Sequence, residues 1–80
     1  MKNYPRIQVQ CNLQGLPMQL EYGRSSLWVR KTMEIWKDTG CWWQAESEKA
    51  FYRLLCHDKS VREIFLDLGS GEWFLYKTYD

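Results

Sequence analysis

Eighty residues, 45% hydrophobic and 26% charged, describe one small globular domain and exclude a disordered chain. A net charge of +1 excludes a global pull toward nucleic acid or an anionic membrane. No apolar run approaches the ~20 residues of a membrane helix, and MKNYPRIQVQ lacks the apolar stretch of a signal peptide.

Three cysteines, Cys11, Cys41 and Cys56, are an odd number at spacings unlike a disulfide scaffold, which points to a reducing, cytoplasmic setting. A chain of this size buries only about two-thirds of its unfolded surface, so each large ring counts. Aromatics at 16%, five tryptophans among them, suit that need. The charge is uneven. Residues 1–37 hold six basic and two acidic groups, and residues 38–80 hold five basic and eight acidic.

The dominant period along the chain is two, the period of a strand with one buried face. Over Arg6–Leu13, Ile7, Val9, Cys11 and Leu13 alternate with polar residues, and Gln14-Gly15 reads as a turn. Leu16, Met18, Leu20 and Tyr22 alternate again. Pro17 cannot donate to a ladder, so this strand is expected at an edge or to start after it. Gly23-Arg24-Ser25-Ser26 reads as the next turn.

The segment LWVRKTMEIWKDTG fits two states. As a helix over 27–38 it would start at Ser26 and stop at Gly40. As a strand it would put Leu27, Val29, Met33 and Ile35 on one face, and its Trp, Val, Thr and Ile content favours that reading.

Ala50–His57, Val61–Leu68 and Glu72–Tyr79 then read as three strands joined by HDKS and GSG. Charge selects a register in which Leu68 opposes Glu72 and Glu63 opposes Lys77. The slipped alternative sets Asp67 against Glu72. A loop at Asp58-Lys59-Ser60 would place Tyr52, Leu54 and Cys56 beside Leu66, Ile64 and Arg62. One face then carries Tyr52, Leu54, Cys56, Ile64, Leu66, Leu68, Phe74 and Tyr76 as core. The other mixes Phe51, Arg53, Leu55, Val61, Glu63, Phe65, Asp67, Trp73, Leu75, Lys77 and Tyr79. With at most one helix to cover it, the sheet must curl into a mainly β, five- to six-stranded antiparallel barrel or roll. The alternative is an α+β fold with the one helix around 27–38.

Chemical motifs are thin. Cys11, Cys41, Cys56 and His57 make a Cys3His set by count, but without a C-x2-C knuckle, and Cys56 and His57 point to opposite faces of one strand. They read as buried thiols and not as a metal centre or a Cys/His nucleophile. Glu63 and Asp67 share a strand face beside Arg53 and Lys77, which suits an ion-pair lattice better than acid–base work. No phosphate loop or HExxH helix occurs. The expectation is a domain that is not an enzyme and carries no catalytic residues, metal or cofactor.

Two binding readings follow. A protein partner is expected on the aromatic, mixed-charge face through Trp36, Trp42, Arg53, Phe65, Trp73, Lys77 and Tyr79. The alternative is single-stranded nucleic acid on Trp28, Arg30, Lys31, Trp36 and Lys37 in the basic half. Trp42 and Trp43, adjacent on an extended segment, must face opposite ways. Parity leaves open which is inside; Trp43 is favoured, with Trp42 at the rim.

From Leu20 onward, L-E-Y-G-R, W-V-R, W-K-D-T-G-C-W-W, F-Y-R-L and F-L-D-L-G-S-G-E-W-F-L-Y-K-T-Y-D resemble a small bacterial domain family without an assigned function. It occurs in actinobacteria and cyanobacteria, often encoded beside or fused to Y-family translesion DNA polymerases. The resemblance divides the chain into an N-terminal strand extension, 1–19, and a family-like β core, 20–80. It assigns no catalytic residues. It implies a link to DNA damage tolerance, with a translesion polymerase as the partner it suggests.

Overall fold

The computed structural model describes residues 4–38 and 48–79. Six antiparallel strands run in chain order: β1 Arg6–Cys11, β2 Pro17–Tyr22, β3 Ser25–Asp38, β4 Lys49–Cys56, β5 Val61–Asp67 and β6 Glu72–Tyr79. Each pairs with the next, and β1 returns to β6 to close a barrel. The closing seam is short: Arg6 faces Phe74, Ile7 faces Trp73, and Leu75 N–H donates to the Pro5 carbonyl at 2.9 Å. Closure pairs the first strand with the last over that seam alone.

The ambiguous segment is strand throughout. β3 serves two neighbours in turn, β2 over Ser25–Trp28 and β4 over Val29–Asp38. A helix there would leave both neighbours with bare hydrogen-bonding edges, so pairing decides between the two states. Irregularities between Val29 and Lys31 and between Thr32 and Glu34 rotate the strand. As a result the shared face expected for Leu27, Val29, Met33 and Ile35 divides. Leu27 and Val29 pack against the core, whereas Met33 and Ile35 are about half exposed, at 47% and 51%.

Pro17 is handled differently from the expectation. β2 lies between β1 and β3, and buried Pro17 opens it, opposite Cys11 at an irregularity in the β1–β2 ladder. Its missing donor therefore falls where the ladder is already disturbed. β1 stops at Cys11 because Asn12 starts a loop: its Oδ1 accepts from Gln14 N–H at 2.9 Å and Leu16 N–H at 3.0 Å. Leu13 thus leaves the strand for the loop tip and is fully exposed.

Both C-terminal hairpins depart from the expected registers. In the β4–β5 hairpin, Cys56 N–H donates to the Ser60 carbonyl at 2.9 Å, and Lys59 takes the left-handed backbone with φ 70°. The loop is therefore His57–Lys59, one residue early. Tyr52 opposes Ile64 and Leu54 opposes Arg62; faces are kept and partners shift by two.

In the β5–β6 hairpin, Asp67 does oppose Glu72 near the turn, while Glu63 still opposes Lys77 further on. Both hold because Tyr76 is an extra residue, bulged out between the two stretches. The Asp67–Glu72 repulsion is relieved locally. Asp67 Oδ1 accepts from Gly69 N–H at 2.9 Å, and Glu72 pairs with Arg6 at 3.3 Å. This bulge exchanges faces on β6. Trp73 and Leu75 pack against the barrel core, and Phe74 and Tyr76, expected inside, lie outside.

The core inside the barrel is Ile7, Leu20, Leu54, Cys56 and Ile64, the last three fully buried. Leu66 is half-buried, and Leu68 leaves the core for the turn.

Candidate functional site

The outer face of β3–β6 carries a second buried layer made of rings. Phe51 and Phe65 are 7% and 4% exposed although they point away from the barrel axis. Trp36 stacks on Phe51 at 5.3 Å with the planes 7° apart, and Phe65 stacks on Phe74 at 5.1 Å. Phe51 and Phe65 meet at 5.2 Å, and bulged Tyr76 stands edge-on to Phe51 at 5.1 Å. Tyr4, just before β1, closes the layer with its ring perpendicular to Phe65 at 5.4 Å. Offset and edge-to-face geometries such as these add to the burial of area alone.

Beside the rings sits a charged group of three. Arg53 Nε donates to Glu63 Oε2 at 2.8 Å, and Arg53 Nη1 donates to Glu34 Oε1 at 3.0 Å. The Arg53 guanidinium carbon lies 5.8 Å from the centre of the Trp36 ring. Glu63 is 2% exposed, and a carboxylate so enclosed needs its cation and its hydrogen bond. Glu63's hydrogen bond in turn holds Arg53 yet more firmly protonated. Lys77 faces Glu63 across the ladder, with Nζ 5.1 Å from the Tyr76 ring. Val61 and Tyr79 border a shallow depression next to Arg53, and Tyr79 is 44% exposed.

Compared with known protein families, with characterised proteins and with solved structures, the chain matches none.

Of the partner-binding residues read from sequence, Trp36, Arg53, Phe65, Lys77 and Tyr79 share this face. Phe65 is on it but sealed beneath its neighbours. Trp73 is a correction: the register set by the Tyr76 bulge turns it inward, where its ring lies 5.3 Å from Tyr52. Trp42, Trp43 and Cys41 lie outside the described residues.

The alternative set does not form one patch. Trp28 is 54% exposed near the start of β3, its N–H and carbonyl both engaged by His57. Trp36 lies eight residues along, roughly 25 Å in an extended chain. Lys37 faces away from Trp36 and pairs with Glu48 at 4.0 Å. Arg30 and Lys31 are exposed along the strand between them.

Sequence reasoning missed Glu34, Val61 and Tyr4. Glu34 was hidden by the β3 irregularities, which bring it opposite Arg53. Val61 was already on the correct face and lacked only a reason to single it out. Tyr4 precedes the first alternating run, and no periodic signal marks it.

Cys56 is buried inside the barrel, and burial pushes its thiol above the ordinary range. Cys11 is exposed at the end of β1, its thiol also raised by partial burial. Among the described residues no three His, Cys, Asp or Glu side chains come together as a metal set.

Proposed function

We propose that the protein is a non-catalytic interaction module that holds a protein partner against the Trp36–Arg53–Tyr79 face. One observation carries the reading: Arg53 is clamped by two carboxylates, lies beside the Trp36 ring, and is still 39% exposed at its side chain. Trp, Tyr and Arg are the residues that dominate binding energy at interface centres. An arginine already held in place loses little side-chain freedom when a partner covers it. The surrounding charge is balanced, with Arg53 and Lys77 against Glu34 and Glu63, so the face offers phosphates no net attraction. The resemblance of residues 20–80 makes a Y-family translesion polymerase the first partner to try.

The test is binding of the immobilised protein to that polymerase from the same cell, with Trp36→Ala and Tyr79→Ala as variants. Both should stay folded by circular dichroism and weaken binding by at least tenfold, the size expected of a central contact. Undiminished binding by both folded variants would show that the face is not the interface. A labelled oligothymidylate supplies the rival outcome. Affinity for it that falls steeply with salt and depends on Trp28 and Arg30 would replace the protein-binding reading with the nucleic-acid one.

A further inference from the structure

One end of the barrel interior opens to solvent as a cavity of about 300 Å³, at the small end of ligand pockets. It lies inside the wall and is separate from the outer ring face. Its floor is Ile7 and Leu20, 5% and 4% exposed, and half-buried Leu27 and Leu75 form its sides. Polar groups stand only at the rim, where Tyr22 and Ser25 are exposed and Asp58 and Arg62 face each other across Ser60. A ligand placed here would have an apolar end below and a polar end above.

The rim charges have an unusual arrangement. Arg62 lies on the inward face of β5, opposite Leu54 and two residues from Ile64, which is core on both counts. Only its place at the barrel mouth lets its head reach water. Its Nε donates to Ser60 Oγ at 3.4 Å. Ser60 Oγ in turn donates to Asp58 Oδ1 at 2.5 Å, and Ser60 N–H donates to the same oxygen at 3.0 Å. The serine hydroxyl therefore stands between the two charges, and they form no direct ion pair among the described residues. The guanidinium Nη groups and Asp58 Oδ2 are left without hydrogen-bond partners there.

From this we infer that the barrel mouth binds a small zwitterion with an apolar side chain, a free apolar α-amino acid being the ligand class. The carboxylate takes the Arg62 fork, the form of anion that a guanidinium recognises with two parallel bonds. The ammonium takes Asp58 Oδ2, and the side chain fills the well above Ile7 and Leu20. A monocarboxylate would satisfy Arg62 but sit against Asp58. An amine would satisfy Asp58 but sit against Arg62. Glycine would meet both charges and leave the well empty.

Calorimetric titration of the whole protein with L-leucine and L-phenylalanine tests this, against 4-methylpentanoate, 3-methylbutylamine and glycine. The expected result is roughly millimolar or tighter binding of at least one of the two apolar amino acids, with the three analogues at least tenfold weaker. Arg62→Met and Asp58→Asn should each lose that preference. Leu75→Trp, which fills the well without touching the rim charges, should abolish binding and keep the fold. This variant decides the matter if a rim substitution unfolds the turn. No heat or melting shift with either amino acid overturns the inference. So does 4-methylpentanoate binding as well as leucine with Asp58→Asn neutral, which would mean an anion site only.

Discussion

The outer ring layer makes Phe65 the residue whose removal tests the architecture most sharply. On a simple barrel, a side chain pointing away from the axis costs little to truncate, within about 0.5 kcal/mol. Phe65 is different because it is 4% exposed and lies against Tyr4, Phe51, Phe74 and Tyr76. A buried phenylalanine takes roughly 150–250 Å² out of water, which at about 25 cal/mol per Å² is about 4–6 kcal/mol for the whole side chain. Phe65→Ala keeps the Cβ and leaves a cavity between rings, so the expected loss is about 3–5 kcal/mol. An 80-residue domain has only about 4–12 kcal/mol in total. The variant should therefore lose at least about a quarter of the total, and at the lower end of that range it would be partly unfolded at room temperature.

Phe74 is half-buried, with Phe65 as its one ring neighbour among the described residues, and Phe74→Ala should cost about 1–3 kcal/mol. Urea denaturation followed by tryptophan fluorescence measures both. A Phe51/Phe65 double-mutant cycle should show about 0.5–1.5 kcal/mol of coupling. A Phe65→Ala loss under about 1 kcal/mol, with no coupling to Phe51, would mean the outer layer is open to water. The two-layer packing would then be wrong.

Other outcomes follow from the same geometry. Arg53→Met should destabilise more than Glu34→Ala, because only the former leaves Glu63 enclosed and unpaired; Arg53→Met with Glu63→Gln should recover part of the loss on the same denaturation curves. In a Cys11→Ser, Cys41→Ser background the lone Cys56 thiol should resist a thiol reagent until the protein unfolds, since it is sealed and its pKa is raised; rapid labelling of the native protein would contradict its placement. Ser60's hydroxyl and N–H hold the Asp58 carboxyl below its usual range. That contribution is present above the ordinary carboxylate value of about 3.9 and is lost as pH falls through the lower folded one. Melting temperatures across pH 7 to about 2 should show a step that Asp58→Asn flattens, and an unchanged profile would rule the contribution out.

How much of this was legible in the residues depended on whether a side chain or a backbone count carried the information. Alternation placed β1, β2, β4 and β5, and for β4 and β5 it also placed the faces, because Leu54, Cys56 and Ile64 follow a period of two. The helix alternative over 27–38 could not be settled locally. What settles it is that β2 and β4 both need β3 as a neighbour, a fact about pairing and not about propensity. On β6 the pattern E-W-F-L-Y-K is aromatic or aliphatic at four consecutive positions, so alternation gives no face. Charge was used in its place, and it identified one true pair, Glu63 with Lys77. Extending that register toward the turn assumed an unbroken ladder, and one extra residue at Tyr76 breaks it.

That single bulge links the fold to the proposed interface. Without it, a register continuous from the Glu63–Lys77 end would set Tyr76 opposite Ile64 and Phe74 opposite Leu66, both rings on the barrel side and out of the outer layer. With it, Trp73 and Leu75 fill the barrel, while Phe74 and Tyr76 roof Phe65 and Phe51 from outside. Glu63 stands on that same outer face, two residues from Phe65 and between Arg53 and Lys77 on the neighbouring strands. From there Glu63 holds Arg53 in place, and Arg53 so held presents its free edge beside Trp36 and Tyr79. The stiffness of the proposed interface thus derives from a buried carboxylate. That carboxylate stands on a sheet packed on both faces, and the outer packing depends on β6 having one residue more than its partner strand.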